Sequence, residues 1–208
     1  MNHTDYTIRR ETPADYRRTE ELVREAFWNV YRPGCLEHYV LHTFRTAPDF
    51  VPELDLVLET DGRLIGQVMY VRTALHTDDG RDLPIMTAGP LAILPEYQGQ
   101  GWGTLLLRRS MERAAELGAG ALCFEGDIGF YGRSGFAVAS TMGIHYYAEP
   151  REAEVPYFLC KELTPGYLTG VTGVYRTPAG YFVDQAEAER FDSAFPPKEK
   201  KRLPGQLV

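Results

Sequence analysis

No stretch of the chain approaches the ~20 consecutive apolar residues that a membrane-spanning helix needs. The start, Met1 to Arg10, is polar and charged, with no basic segment leading into an apolar one. These absences predict no membrane partner and no secretory leader, with the cytoplasm as the expected compartment. Cysteine is scarce: Cys35, Cys123 and Cys160 are odd in number and widely spaced, which fits neither a disulfide framework nor a zinc site. Cys123, inside the apolar run Ala121 to Phe124, reads as a small buried hydrophobe. Positive charge is short as well. The 22 Lys and Arg against 29 Asp and Glu leave a net charge of −7, which argues against a nucleic-acid partner bound through a broad basic surface. Internal repeats and flexible Gly/Ser linkers are missing too. What is present is a chain of 208 residues, 44% hydrophobic and 25% charged, with enough apolar residues to bury a core.

The periodicities predict an α/β chain of the α+β kind. Tyr6 to Arg10 alternates as a short strand, and Thr12, Pro13 and Asp15 read as N-cap, first-turn proline and N3 carboxylate of a helix. Its inner face is Tyr16, Thr19, Val23, Ala26 and Phe27. A second helix is expected over Gly34 to Phe44, with Leu36, Tyr39, Val40 and Phe44 inward. Leu54, Leu56 and Leu58 then alternate as a strand, Asp61-Gly62 marks a hairpin, and runs over Leu64–Leu75 and Leu83–Leu94 follow. A helix from Thr104 to Leu117, ended by Gly118, and a strand Ala119 to Glu125 make a βαβ unit with parallel outer strands. A short helix at Asp127–Ser134 and closing strands at Phe136–Tyr147 and Pro156–Leu163 complete the pattern.

Between the third strand and its helix lies Gln98-Gly99-Gln100-Gly101-Trp102-Gly103-Thr104. Glycines there let the backbone turn tightly, while the first helical N–H groups attract an anion, usually phosphate. No Lys-Ser/Thr pair follows, which excludes a Walker loop, and the preceding strands are antiparallel in pattern, which excludes a Rossmann opening.

The run from Leu91 through Pro95 and Gln98 to Gly103 resembles the signature of the GNAT superfamily of acyl-CoA-dependent N-acetyltransferases. Phe130-Tyr131-Gly132-Arg133-Ser134-Gly135-Phe136 is similar to that family's Tyr-x-x-x-Gly-Phe segment. The resemblance covers Tyr6 to about Leu163 and implies a mixed, mostly antiparallel sheet with helices on both faces and a splayed central strand pair. It implies a GNAT domain at 1–163, with 164–208 as a C-terminal extension packed on it. Acetyl-CoA is the implied cosubstrate. Backbone groups of Gln98, Gly99, Gln100, Gly101, Trp102, Gly103 and Thr104 would hold its pyrophosphate, and those of Leu91, Ala92 and Ile93 would pair with the pantetheine arm.

Tyr131 stands where relatives place a tyrosine beside the CoA sulfur, where a phenol can act as general acid toward the departing thiolate. An amine acceptor, with a pKa of about 10, must lose a proton before it attacks. Several relatives carry a carboxylate on the strand before the glycine loop, but Ile85 to Leu94 has none, and Thr87 sits near that point. Glu125, Asp127, His145 or a water chain remain as base candidates, with Asp127 also readable as an N-cap. His38 and His42, four apart, lack the third ligand of a metal site, so no metal is expected. Because the first helices often border the acceptor pocket in this fold, Trp28, Tyr31, His38 and Tyr39 are candidate substrate contacts. Lys198, Lys200, Lys201 and Arg202 read as a solvated tail. The expected activity is transfer of acetyl from acetyl-CoA to a primary amine by direct attack in a ternary complex. The alternative is a non-catalytic acyl-CoA-binding or regulatory module. A homodimer is among the assemblies left open.

Overall fold

The fold grows from a hairpin whose turn is written in two residues. In a computed structural model that describes residues 5–207, β1 (Thr7–Arg10), β2 (Leu56–Thr60), β3 (Arg63–Thr77) and β4 (Asp82–Ile93) follow one another. The β2–β3 turn places Asp61 and Gly62 at φ 50° and 70°, the two left-handed positions that the tightest hairpins need and that Asp-Gly supplies cheaply. Leu64 to Val71 are buried at every position, so both faces of β3 are covered. In β2, Leu56, Val57 and Leu58 are buried alike, which replaces the expected alternation, and Leu54 falls in a 3-10 turn, Pro52–Leu54.

The first helix, α1 (Tyr16–Phe27), starts later than the Thr12 signal predicts. The Asp15 carboxylate accepts from the Thr12 N–H (3.0 Å), the Thr12 hydroxyl (2.7 Å) and the Arg9 guanidinium (2.7 and 2.9 Å), so residues 12–15 close as a separate turn. The buried residues of α1 are Thr19, Glu20, Leu22, Val23 and Arg24, not Ala26 and Phe27; charged groups turn inward because buried partners meet them. Next come α2 (Glu37–Phe44), α3 (Trp102–Glu116), β5 (Ala121–Glu125), α4 (Ile128–Tyr131), β6 (Ala137–Val138), β7 (Ile144–Tyr146), β8 (Phe158–Glu162), β9 (Gly173–Tyr175) and α5 (Gln185–Asp192). The strand expected over Phe136–Tyr147 is broken by a 3-10 turn, Ala139–Met142, that ends on Gly143 at φ 78°. That left-handed residue redirects the chain.

The chain divides into two compact units. The first holds residues up to Met69, Pro90–Leu106 and the chain from Ala179 onward; the second holds Tyr70–Gly89 and Leu107–Pro178. In the first, β1 pairs antiparallel with β2, and β2 with β3. Gly66 is required by crowding, since a Cβ there would lie 2.6 Å from Ile93 Cδ1. Helix α5 lies on α2, with the Tyr39 hydroxyl donating to Glu187 at 3.2 Å.

In the second unit, β5 pairs with β4 in parallel and with β8 antiparallel, β6 extends β8, and β9 lies between the end of β3 and β7. Its core gathers Leu75, Ile85, Ala121, Cys123, Phe158, Cys160 and Tyr175. Beyond Leu163 the chain serves both units, β9 in the second and α5 in the first. No helix among the described residues is long and apolar enough to cross a membrane.

Candidate functional site

In the first unit the glycine loop is shaped by its own side chains. Gln98 Nε2 donates to the Ile93 carbonyl at 2.9 Å and Gln100 Nε2 to the Glu96 carbonyl at 2.8 Å. Both glutamine side chains are thereby spent on bracing the loop. Gly99 and Gly101 sit at φ 72° and 89°, where an L side chain is strained. A Cβ on Gly99 would meet nothing within 4 Å, so backbone conformation, not crowding, demands glycine there, and the space beside the loop is open. The Leu105 N–H reaches the Gly101 carbonyl at 3.0 Å as a first-turn bond of α3. The N–H groups of Trp102, Gly103 and Thr104 come before that ladder, at the positive end of the helix dipole. Trp102 is buried and meets Tyr6 edge-on at 6.1 Å, which anchors the helix start. This cradle suits a phosphate.

In the second unit, Met86 with Leu122 is the one β4–β5 register pair among the described residues, while Cys123, Phe124 and Glu125 pair with β8. The two strands therefore part after a single pair, and the expected splay is present. Successive residues of β5 face opposite ways. On one side the Phe124 ring lies 4.7 Å from both Tyr131 and Phe136. Tyr131 is carried by α4, which Asp127 caps by accepting the Gly129 N–H at 2.9 Å. A Cβ on Gly126 would come within 2.4 Å of Tyr131 Cε2, so this glycine makes room for the ring. Gly126→Ala is expected to crowd the Tyr131 ring and cost about 1–3 kcal/mol of stability; a urea midpoint equal to wild type would show that the ring moves aside freely.

On the other side of β5, Glu125 Oε1 accepts from the Tyr146 hydroxyl (2.7 Å) and the Thr177 hydroxyl (3.0 Å). Burial raises the pKa of Tyr146, and Glu125 adds to the rise against the opposing bond from Thr177, so the phenol keeps its proton and donates it. Thr87, buried on β4, hydrogen-bonds the Tyr175 phenol, whose pKa burial also raises. A neutral Thr–Tyr pair thus stands near the strand position where the resemblance implies a carboxylate. Tyr146, Tyr175 and Thr177 were not among the sequence candidates; no local motif marks them. His145 belongs elsewhere: it neighbours Tyr146 on β7 and so faces the opposite way, its Nδ1 is buried without a partner, and it lies near Asp78.

The four acceptor-side candidates lie in the first unit, and the C-terminal segment covers most of them. His38 is fully buried against Phe191 and Phe195 at 5.4 and 5.2 Å. Its Nε2 is 3.1 Å from Asp192 Oδ1 but off the line of a hydrogen bond. Burial lowers its pKa to about 4, against the pull of Asp192, so the ring is neutral. Trp28 Nε1 donates to the Glu199 carbonyl at 3.0 Å, and Tyr39 is held by Glu187. Tyr31 is exposed, with its carbonyl bonded by Leu207. Among the described residues no group of three or more His, Cys, Asp and Glu is placed to hold a metal ion.

Comparison with known proteins agrees with this architecture. The sequence model described as an acetyltransferase (GNAT) domain matches residues 53–138. The chain is 29% identical to the uncharacterized N-acetyltransferase YhbS of Escherichia coli (strain K12) over 168 residues, 80% of this chain and 93% of YhbS. It is 33% identical to the uncharacterized N-acetyltransferase YjhQ of the same organism over 86 residues, 41% of this chain and just under half (46%) of YjhQ. The crystal structure of Escherichia coli YhbS in complex with CoA superimposes with a TM-score of 0.73 at 26% identity, covering 87% of this chain and 94% of YhbS. A GNAT family acetyltransferase from Brucella melitensis in complex with acetyl-CoA has the same fold, with a TM-score of 0.67 at 24% identity over 86% of this chain and 99% of that one. Glycine loop, splayed strands and matched sequence together support assignment to the GNAT superfamily of acetyltransferases.

Proposed function

We propose that the protein transfers acetyl from acetyl-CoA to a primary amine by direct attack in a ternary complex. The observation that carries this reading is the braced glycine loop, whose left-handed Gly99 and Gly101 lead into the N-terminus of α3. CoA and acetyl-CoA bound to the structural neighbours support the choice of cosubstrate. Backbone N–H groups from Gln98 to Thr104 hold the pyrophosphate, so the net charge of −7 is no obstacle. Leu91, Ala92 and Ile93 offer strand-edge groups to the pantetheine arm; the Ile93 carbonyl, engaged by Gln98, keeps a second lone pair.

Chemistry is assigned within the second unit. Tyr131 protonates the departing CoA thiolate. Of the base candidates, Glu125 is favoured: Tyr146 and Thr177 orient its carboxylate, whereas Asp127 is spent as a helix cap and His145 faces away. Glu125 attracts the ammonium form of the acceptor and takes its proton, directly or through water.

Calorimetry with acetyl-CoA should give saturable binding, and a panel of amines should then accelerate thiol release. Glu125→Gln should slow that release while leaving acetyl-CoA affinity intact. No binding at millimolar acetyl-CoA, in folded protein, would overturn the reading. Binding without release for any amine would leave the regulatory acyl-CoA module in its place.

A further inference from the structure

In the second unit a groove of about 500 Å³ opens between α3, the end of the α4 segment and β8. Arg108, Arg133 and Lys161 line it. Two of them meet carbonyls: Arg108 donates to the Arg133 carbonyl at 3.3 Å, and Lys161 Nζ to the Ser134 carbonyl. The carboxylates at the rim are committed elsewhere. Glu112 pairs with Arg109 at 2.9 Å, and Glu162 accepts the N–H groups of Gly166 and Leu168 at 2.8 and 2.7 Å. Three cations therefore share one concavity with no carboxylate partner among the described residues, in a chain that is otherwise acidic.

Two further observations point the same way. Ser134 lines the groove with only 7% of its surface exposed, and its Oγ has no hydrogen-bond partner. A buried hydroxyl left unpaired is costly, and one beside a cationic cleft is a donor waiting for an acceptor. Burial and the neighbouring Arg108 charge both lower the pKa of Lys161, as expected where like charges converge without a counter-ion.

The geometry points to an anion site in this groove, built for a phosphate monoester that Arg108, Arg133 and Lys161 neutralise and the Ser134 hydroxyl donates to. Guanidinium forks suit the oxygens of a phosphate, and a partly desolvated ammonium supplies a point charge. The monoester is carried by a phosphorylated ligand separate from the cofactor, and the 3′-phosphate of the CoA nucleotide is the rival occupant that the test distinguishes. The site goes beyond the pyrophosphate cradle at Gln98–Thr104, which needs no side-chain cation.

The test uses the full chain and the variants Arg108→Gln, Arg133→Gln and Lys161→Gln. Arg108 and Arg133 are exposed, so their variants should fold, as circular dichroism would verify. Calorimetry is run with acetyl-CoA, with dephospho-acetyl-CoA and with inorganic phosphate. Variants that weaken acetyl-CoA about tenfold or more and leave dephospho-acetyl-CoA unchanged assign the groove to the cofactor's 3′-phosphate. Unchanged acetyl-CoA affinity, with phosphate binding at millimolar concentration that Arg108→Gln or Arg133→Gln abolishes, assigns it to a separate phosphorylated ligand. The second result supports the proposal; the first returns the groove to the cofactor and overturns it. If acetyl-CoA and phosphate bind wild type and both arginine variants equally, or phosphate binds none of them while acetyl-CoA is unaffected, the anion site is overturned. Because phosphate needs no acetyl transfer, its arm stands or falls apart from the enzyme's activity.

Discussion

Tyr131→Phe is expected to lower kcat by about 10²- to 10⁴-fold, the range that a positioned general acid contributes, while acetyl-CoA binds as before. The ring is held from several sides, by Phe124 at 4.7 Å, Phe130 at 4.8 Å and Phe136 at 5.7 Å, and phenylalanine keeps those contacts. Only the hydroxyl is removed. Expulsion of a thiolate is assisted by a proton donor, because the charge that develops on sulfur is then neutralised as the bond breaks. The loss should therefore appear in kcat, with little change in the dissociation constant measured by calorimetry. A kcat equal to wild type would remove Tyr131 from the chemistry and leave the aromatic packing as its whole role.

Local features were readable from sequence because their causes are local. Asp61-Gly62 fixes its hairpin through two left-handed residues, and Gly99 and Gly101 fix the loop in the same way. Asp127 caps its helix through a bond two residues along. The surroundings of the proposed reacting groups were not readable, because their partners come from far along the chain. Glu125 meets Tyr146 at a separation of 21 residues and Thr177 at 52, and Thr87 meets Tyr175 from the C-terminal strand β9. His38 has the spacing of a helix surface residue, yet α5 and Phe195 bury it. The inner face of α1 misled for the same reason. Arg24 and Glu20 look solvent-facing until Asp192 and Arg45 arrive to pair with them.

The Arg45 contacts set the largest expected effect on stability. In the first unit the Arg45 side chain is 4% exposed, and it bonds Glu11 (0% exposed) at 2.8 Å and Glu20 (7%) at 2.6 Å. Removing one partner of a buried ion pair strands the others, so Arg45→Met should cost about 3–5 kcal/mol. Asp55, also buried, completes the cluster by accepting from Gln67 Nε2 at 3.1 Å. Burial, together with the adjoining Glu11 carboxylate, pushes the Asp55 pKa far above the usual carboxylate range. At neutral pH its carboxyl is therefore protonated and donates to Glu11. The folded state then holds a proton that the unfolded state releases above a pH of about 4. Stability must fall as pH rises from there toward the raised value, by at most about 1.4 kcal/mol per pH unit. Asp55→Asn supplies the same donor without a titrating proton, since its amide N–H faces Glu11 while its carbonyl still accepts from Gln67. Urea melts at a series of pH values should show wild-type stability declining into the alkaline range and the Asn variant declining less, with the gap between them widening as pH rises. Parallel curves for the two proteins would mean that Asp55 is ionised in the fold and that Arg45 balances three carboxylates instead of two.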